Sequence, residues 1–196
     1  MGGLNLVKWF VGFAILIFAL VFLLNGFSEQ SLRINIRWSA RLAAVYFAIA
    51  FMASSIQYFI KGLFPFWLLS NRKYIGISYA LVHLIHLGFL FVLQFCFHPV
   101  FEIAATTSLL GGGIAYIFTV LMLITSFEKF RNSLSSFVWI KLHTIGGYWI
   151  WSIFMITYLK RVDTELSYLP MIVIMVLAII LRGFRFGRKL IQNTKH

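Results

Sequence analysis

Six stretches of mostly apolar residues dominate this chain: roughly Leu6–Phe27, Trp38–Ile60, Tyr74–Phe97, Thr106–Phe127, Trp139–Leu159 and Tyr168–Leu181. A helix needs about 20 such residues to cross a bilayer. With 61% hydrophobic and 11% charged residues, and a mean hydropathy of +0.92, the 196 residues carry far more apolar surface than a soluble domain of this length needs. The expected fold is therefore all-α: a polytopic membrane bundle of six transmembrane helices, forming a single domain over residues 1–196. Short connections make neighbouring helices antiparallel pairs. The first run is longer than a signal-peptide core and lacks a small-residue cleavage site, so it reads as a retained helix. The one cysteine, Cys96, excludes an intrachain disulfide and a cysteine-rich metal site. Within an apolar run it reads as a small hydrophobe.

The net charge of +12 does not make a nucleic-acid face, because the basic residues sit at the ends of apolar runs. Lys8, Lys61, Arg72, Lys73, Lys129, Arg131, Lys141, Arg182, Arg185, Arg188, Lys189 and Lys195 fall on one side. Arg33, Arg37, Arg41, Lys160 and Arg161 fall on the other. The positive-inside bias places both termini in the cytoplasm of a multi-pass inner (plasma) membrane protein, with the lipid bilayer as its first partner. Trp9, Trp38, Trp67 and Trp139 lie near helix ends, where amphipathic rings favour the interface. The tail segment LRGFRFGRKL reads as positive-inside flanking, with a surface anchor or a docking site as the alternative.

Polar chemistry inside the apolar runs is sparse, which singles out the histidines. His83 and His86 are three residues apart, close to one helical face, in the stretch Arg72–Cys96. His143 opens the fifth run in WIKLHTIGGYW. His98 precedes Pro99 at a helix end and reads as solvated; His196 is near the C-terminal end of the sequence and uninformative. An imidazole in lipid is costly unless paired, so such residues are functional candidates. Histidines facing across a helix bundle are a usual way to ligate haem iron, although proton relays and metal sites use them too. Gly146 and Gly147 leave room for a flat macrocycle or, equally, for close helix packing. Arg72, Lys73, Arg131 and Lys141 are either propionate partners or topology signals.

Two motifs carry a family resemblance. Arg72-Lys73-x-x-Gly76 leads to His86, and Thr125-Ser126 is followed by Trp139-x-x-Leu142-His143. Both are similar to signatures of the ferric reductase-like transmembrane domain family, which includes ferric reductases, NADPH oxidases and the haem-binding membrane subunit of a bacterial methionine sulfoxide reductase. The resemblance runs from about the second apolar run through the fifth. It implies a haem b protein that passes electrons through the membrane, with His83, His86 and His143 as candidate axial ligands of the haem iron. The family often places two histidines, several turns apart, on each of two helices. Here the second position on the fifth run falls near Ile156 and the first on the third run near Arg72, so His86 and His143 match different layers.

Helix rise sharpens that mismatch. His86 lies thirteen residues past Lys73, about 20 Å along a helix, and His83 about 15 Å, whereas His143 lies two residues past Lys141, about 3 Å. Three arrangements remain: one haem between His143 and either His83 or His86; one haem on His86 and Met155; or a bundle whose haem sites are partly lost. A single haem b is favoured, with a quinone as a second carrier.

The chain has no G-x-G-x-x-G run in a strand–helix context, and Gly111-Gly112-Gly113 lies within an apolar run. Any oxidoreductase activity would thus draw electrons from a quinol or a cytoplasmic donor and deliver them to a partner protein or acceptor. The alternative is a non-redox scaffold, assembly factor or small transporter. Glu29, Glu102, Glu128, Asp163 and Glu165 all lie at or near helix ends, which argues against a cation pump.

Overall fold

A computed structural model describes residues 3–98 and 105–193, apart from the side chains of 105–109, 189 and 193. Pro99, Glu102, Lys195 and His196 lie outside the described residues. Those described are helical almost throughout and contain no strand: α1 (Gly3–Asn25), α2 (Glu29–Phe59), α3 (Leu63–Phe97), α4 (Ala105–Ile124), the single turn α5 (Glu128–Arg131), α6 (Ser136–Val162), a 3-10 turn (Leu166–Tyr168) and α7 (Leu169–Asn193). Among the described residues, four helical stretches are long and apolar enough to cross a membrane: α1, α2, α3 and Leu166–Gln192.

Several helices extend beyond the apolar runs. α2 begins at Glu29 rather than near Trp38, because Ser28 caps it. The Ser28 side chain accepts from the Ser31 amide, and the Ser31 hydroxyl is reciprocally placed on the Ser28 amide. Glu29 and Arg33 then pair one turn apart at 2.6 Å. The Ser28→Ala variant is expected to lose about 0.5–2 kcal/mol of stability, read as an earlier unfolding midpoint in detergent. α3 likewise starts at Leu63, directly after Gly62, whose φ of 153° lies in the region that favours glycine.

The centre of the bundle is α2, which packs against α1, α3, α6 and α7. Its buried set includes Ala43, Ala44, Phe47, Ala48 and Phe51, and also the polar residues Ser31, Asn35, Ser39 and Ser55. Small residues allow the close approach that helices in lipid rely on. Successive long helices alternate in direction, because paired contacts run in opposite senses. Phe10 and Phe18 of α1 meet Tyr46 and Asn35 of α2, and Ser39 and Phe47 of α2 meet His86 and Tyr79 of α3. Tyr79 and His83 meet Thr119 and Tyr116 of α4, Gly111 and Thr125 meet Trp149 and His143 of α6, and Tyr148 and Trp151 meet Arg182 and Met175 of α7. Tyr46 of α2 donates to Phe10 O of α1, Phe47 of α2 meets Tyr79 of α3, and Tyr158 of α6 donates to Ala40 O of α2. Trp151 of α6 donates to Met175 O of α7. One end therefore gathers Lys8, Lys61, Arg72, Arg131, Lys141, Arg182 and Arg185; the opposite end gathers Arg33, Arg37, Arg41, Lys160 and Arg161. The tail segment continues α7 as helix, with Arg182 and Arg185 turned onto α2 and Phe184 and Phe186 exposed.

Candidate functional site

The structure brings His83 and His86 together and leaves His143 elsewhere. On α3 the two imidazoles stack, 5.6 Å apart and 4° from parallel. His83 is buried, 4.4 Å from the Tyr116 ring of α4 and 5.5 Å from the Tyr79 ring, and its Nδ1 has no partner. Tyr79 in turn shares a 2.8 Å hydrogen bond with Thr119 of α4. An unpaired buried nitrogen calls for an explanation, because most such groups in native folds are satisfied.

His86 is half-buried, and its Nδ1 lies 3.1 Å from Ile36 O and 2.9 Å from the Ser39 hydroxyl. A carbonyl can only accept, so Nδ1 carries the proton and donates. Ser39 passes its own proton to Ile36 O at 3.0 Å, which leaves its oxygen free to accept as well. The tautomer is thereby fixed, and the lone pair stands on Nε2, the arrangement found in metal-ligating histidines. The guanidinium of Arg161 lies near enough to act on this imidazole. Arg161 also donates to the Tyr168 hydroxyl at 3.3 Å. Beside it, Arg41 stacks 4.7 Å over the Tyr168 ring and donates to Ser167, while its buried Nε has no partner.

Glu165 closes this end of the bundle, 3.6 Å from Arg41. The Ser167 hydroxyl that donates to its carboxylate holds the group below the ordinary glutamate value, aided by Arg37 and Arg41. A depressed acid supports the fold at pH above that ordinary range and loses its contribution as pH falls through its folded value. Melting temperature is expected to fall slightly less with acidification in Glu165→Gln than in the wild type, a small difference because the carboxylate is exposed.

His143 belongs to a different structure. Thr125 donates its hydroxyl proton to Leu121 O at 2.7 Å, so its oxygen accepts from His143 Nε2 at 3.1 Å. The Trp139 ring meets that of His143 at a tilt of 33° with centres 4.3 Å apart, and it donates from Nε1 to Thr125 O at 3.1 Å. Thr125, Trp139 and His143 thus clasp α4 to α6, and the usual ligating nitrogen is already committed. The neighbouring glycines serve packing. A Cβ on Gly146 would meet Met122 Sδ at 2.8 Å and Phe118 Cδ1 at 2.9 Å, and one on Gly147 would meet Phe51 at 3.5 Å.

The two histidine groups also lie at different depths. His83 sits 5.5 Å from Phe154 of α6. His143 is eleven residues before Phe154, about 16 Å down the same helix. Two nitrogens on one metal are roughly 4 Å apart, twice a metal–imidazole bond of about 2 Å. One iron shared by His143 and either α3 histidine does not fit. Met155, next to Phe154, shares their approximate depth and packs partly buried against the core. Among the described residues no group of three or more His, Cys, Asp or Glu converges to hold a bare metal ion. At this end of the bundle His86 is an imidazole whose Nδ1 is engaged and whose Nε2 keeps its lone pair, with Arg41 and Arg161 as neighbouring cations.

The propionate partners expected from the sequence, Arg72, Lys73, Arg131 and Lys141, lie at the end of the bundle away from His86. Arg72 binds Ala50 O at 3.0 Å, Arg131 lies 5.1 Å over the Trp139 ring, and Lys141 lies 4.3 Å over Phe137. Sequence reasoning missed Ser39, Ile36 O and Arg41, since nothing in the local pattern of α2 links them to a histidine about 50 residues later. The chain matches no protein-family model and no curated protein. Its function therefore rests on the chemistry of these side chains.

Proposed function

We propose that this protein is a multi-pass membrane electron-transfer protein that binds one haem b through His86 and serves as a membrane oxidoreductase subunit. The observation that carries this reading is the fixed tautomer of His86: Ile36 O and Ser39 hold Nδ1–H and leave Nε2 unprotonated. A b-type haem, when bound, supplies one-electron redox chemistry. The chain's own part is to orient His86, to keep the imidazole basic through its two acceptors, and to offer Arg41 and Arg161 to the carboxylates of the macrocycle. Tyr79, Tyr116 and Phe154 shield the adjacent His83 from water. The frame of six alternating helices is read as crossing the membrane six times with both termini cytoplasmic, and electrons are taken from a quinol or a cytoplasmic donor for delivery to a partner on the opposite face.

A second reading has its own support. Phe118 and Met122 close over Gly146, and aromatic rings pack around His83, as in a purely structural bundle, which favours a non-redox scaffold, assembly factor or transporter. Absorbance spectra of the purified protein, oxidised and dithionite-reduced, separate the two. Soret and alpha bands of a b-type haem support the electron-transfer reading. A colourless preparation from haem-replete cells overturns it.

A further inference from the structure

The end of the bundle opposite His86 holds a second polar feature that the proposed electron transfer does not use. Arg72 of α3 donates from Nε to Ala50 O at 3.0 Å. Arg182 of α7 donates from Nη1 to Phe51 O at 3.0 Å and from Nε to the Tyr148 hydroxyl at 3.4 Å, with its guanidinium 4.0 Å over the Phe51 ring. Arg185 donates from Nη1 to the Ser54 hydroxyl, and its Nε is buried without a partner. The acceptors span residues 50–54 of α2, about 6 Å of helix. Guanidinium groups from two helices thus converge on about one turn of a third, close enough that Arg182 and Arg185 both act on the charge of Arg72.

Carbonyl and hydroxyl oxygens take the hydrogen bonds of these cations without neutralising them, so the mutual repulsion persists. Among the described residues, both ion pairs, Arg33–Glu29 and Arg41–Glu165, lie at the other end. The planar fork of a guanidinium matches phosphate, and basic pockets between transmembrane helices bind lipid head groups. We propose that Arg72, Arg182 and Arg185 hold the phosphate of an anionic phospholipid between α3 and α7. A lipid rather than a soluble phosphate is indicated by the surroundings. Arg72 is exposed on the bundle surface, and Leu177 and Ile180 of α7, on the side of Arg182 toward the bundle centre, present exposed apolar side chains. Acyl chains would lie along them. The proposal rests on the membrane reading of the bundle and not on haem.

Native mass spectrometry of the full chain in mild detergent tests it, with phosphatidylglycerol, cardiolipin or phosphatidylcholine added. The wild type is expected to retain the anionic lipids over phosphatidylcholine. Arg72→Gln, Arg182→Gln and Arg185→Gln are each expected to lower that retention roughly fivefold, the contribution of one surface cation. Lys129→Gln, which removes a cation at the same end outside the cluster, is expected to leave it unchanged. An equal loss in Lys129→Gln would show diffuse attraction and overturn the site. Displacement of the lipid by inorganic phosphate would reassign it to a soluble ligand and overturn the lipid. Where Arg182→Gln or Arg185→Gln fails to keep its helical circular dichroism, the exposed Arg72→Gln decides alone.

Discussion

His86→Ala is expected to abolish haem binding, read as loss of the Soret band per protein at unchanged helix content. The expectation follows from the nitrogen each histidine has free. His86 donates from Nδ1 to Ile36 O and Ser39, so the Nε2 lone pair is available. His143 spends Nε2 on Thr125, and its depth differs from that of the α3 pair by about 16 Å. His143→Ala should therefore keep its haem and lose stability instead, by the roughly 0.5–1.5 kcal/mol of one hydrogen bond. Ser39→Ala removes one of the two Nδ1 acceptors while the backbone carbonyl remains. Outer-shell partners of this kind carry about 10–100-fold in affinity, so haem should be weakened without being lost. Retention of haem in His86→Ala, with loss in His143→Ala, would reverse the ligand assignment.

The second large effect concerns packing, and it turns on two adjacent glycines. Gly146→Ala places a Cβ 2.8 Å from Met122 Sδ and 2.9 Å from Phe118 Cδ1, so those two side chains of α4 must shift. Overpacking of this kind costs about 1–3 kcal/mol. Gly147→Ala finds its nearest neighbour, Phe51, at 3.5 Å, an ordinary contact. It should be neutral or stabilising by about 0.4–1 kcal/mol, because the unfolded chain loses freedom. Unfolding midpoints of the two variants should thus move apart, with Gly146→Ala the weaker. Equal midpoints would mean that α4 and α6 are not pressed together at Gly146.

The apolar runs were legible because composition alone decides what lipid accepts. Their extent was not. The charged start of α2 carries Glu29, Arg33 and Arg37, and it is helical because Ser28 and Ser31 cap it and Glu29 pairs with Arg33. A search for apolar windows passes over such a segment. Nor could the sequence reveal that α2 is the central helix. In a membrane the outer face of a helix is as apolar as its inner face, so hydropathy does not say which side is packed. The signal lay in small and polar residues, Ser31, Asn35 and Ser39, spaced one turn apart and all buried.

The histidines show the same division. His83 and His86 were identifiable from their isolation in an apolar run, and their stacking follows from three-residue spacing. The part played by His143 depends on Thr125, eighteen residues earlier and in the turn that follows α4. The Thr-Ser…Trp-x-x-Leu-His pattern looked like a ligand motif, yet here its threonine, tryptophan and histidine bind one another. Spacing could not distinguish a clasp from a ligand, because both need the same side chains at the same end of the bundle.

The arginines that α7 lays on α2 bear on the order in which the bundle can close. Phe51 O and Ser54 of α2 are partnered by Arg182 and Arg185 of α7, each 131 residues further along the chain. Until α7 has been synthesised, that flank of α2 has no protein to rest against. A chain interrupted before α7 would therefore leave that flank of α2, with its carbonyl and hydroxyl acceptors, uncovered.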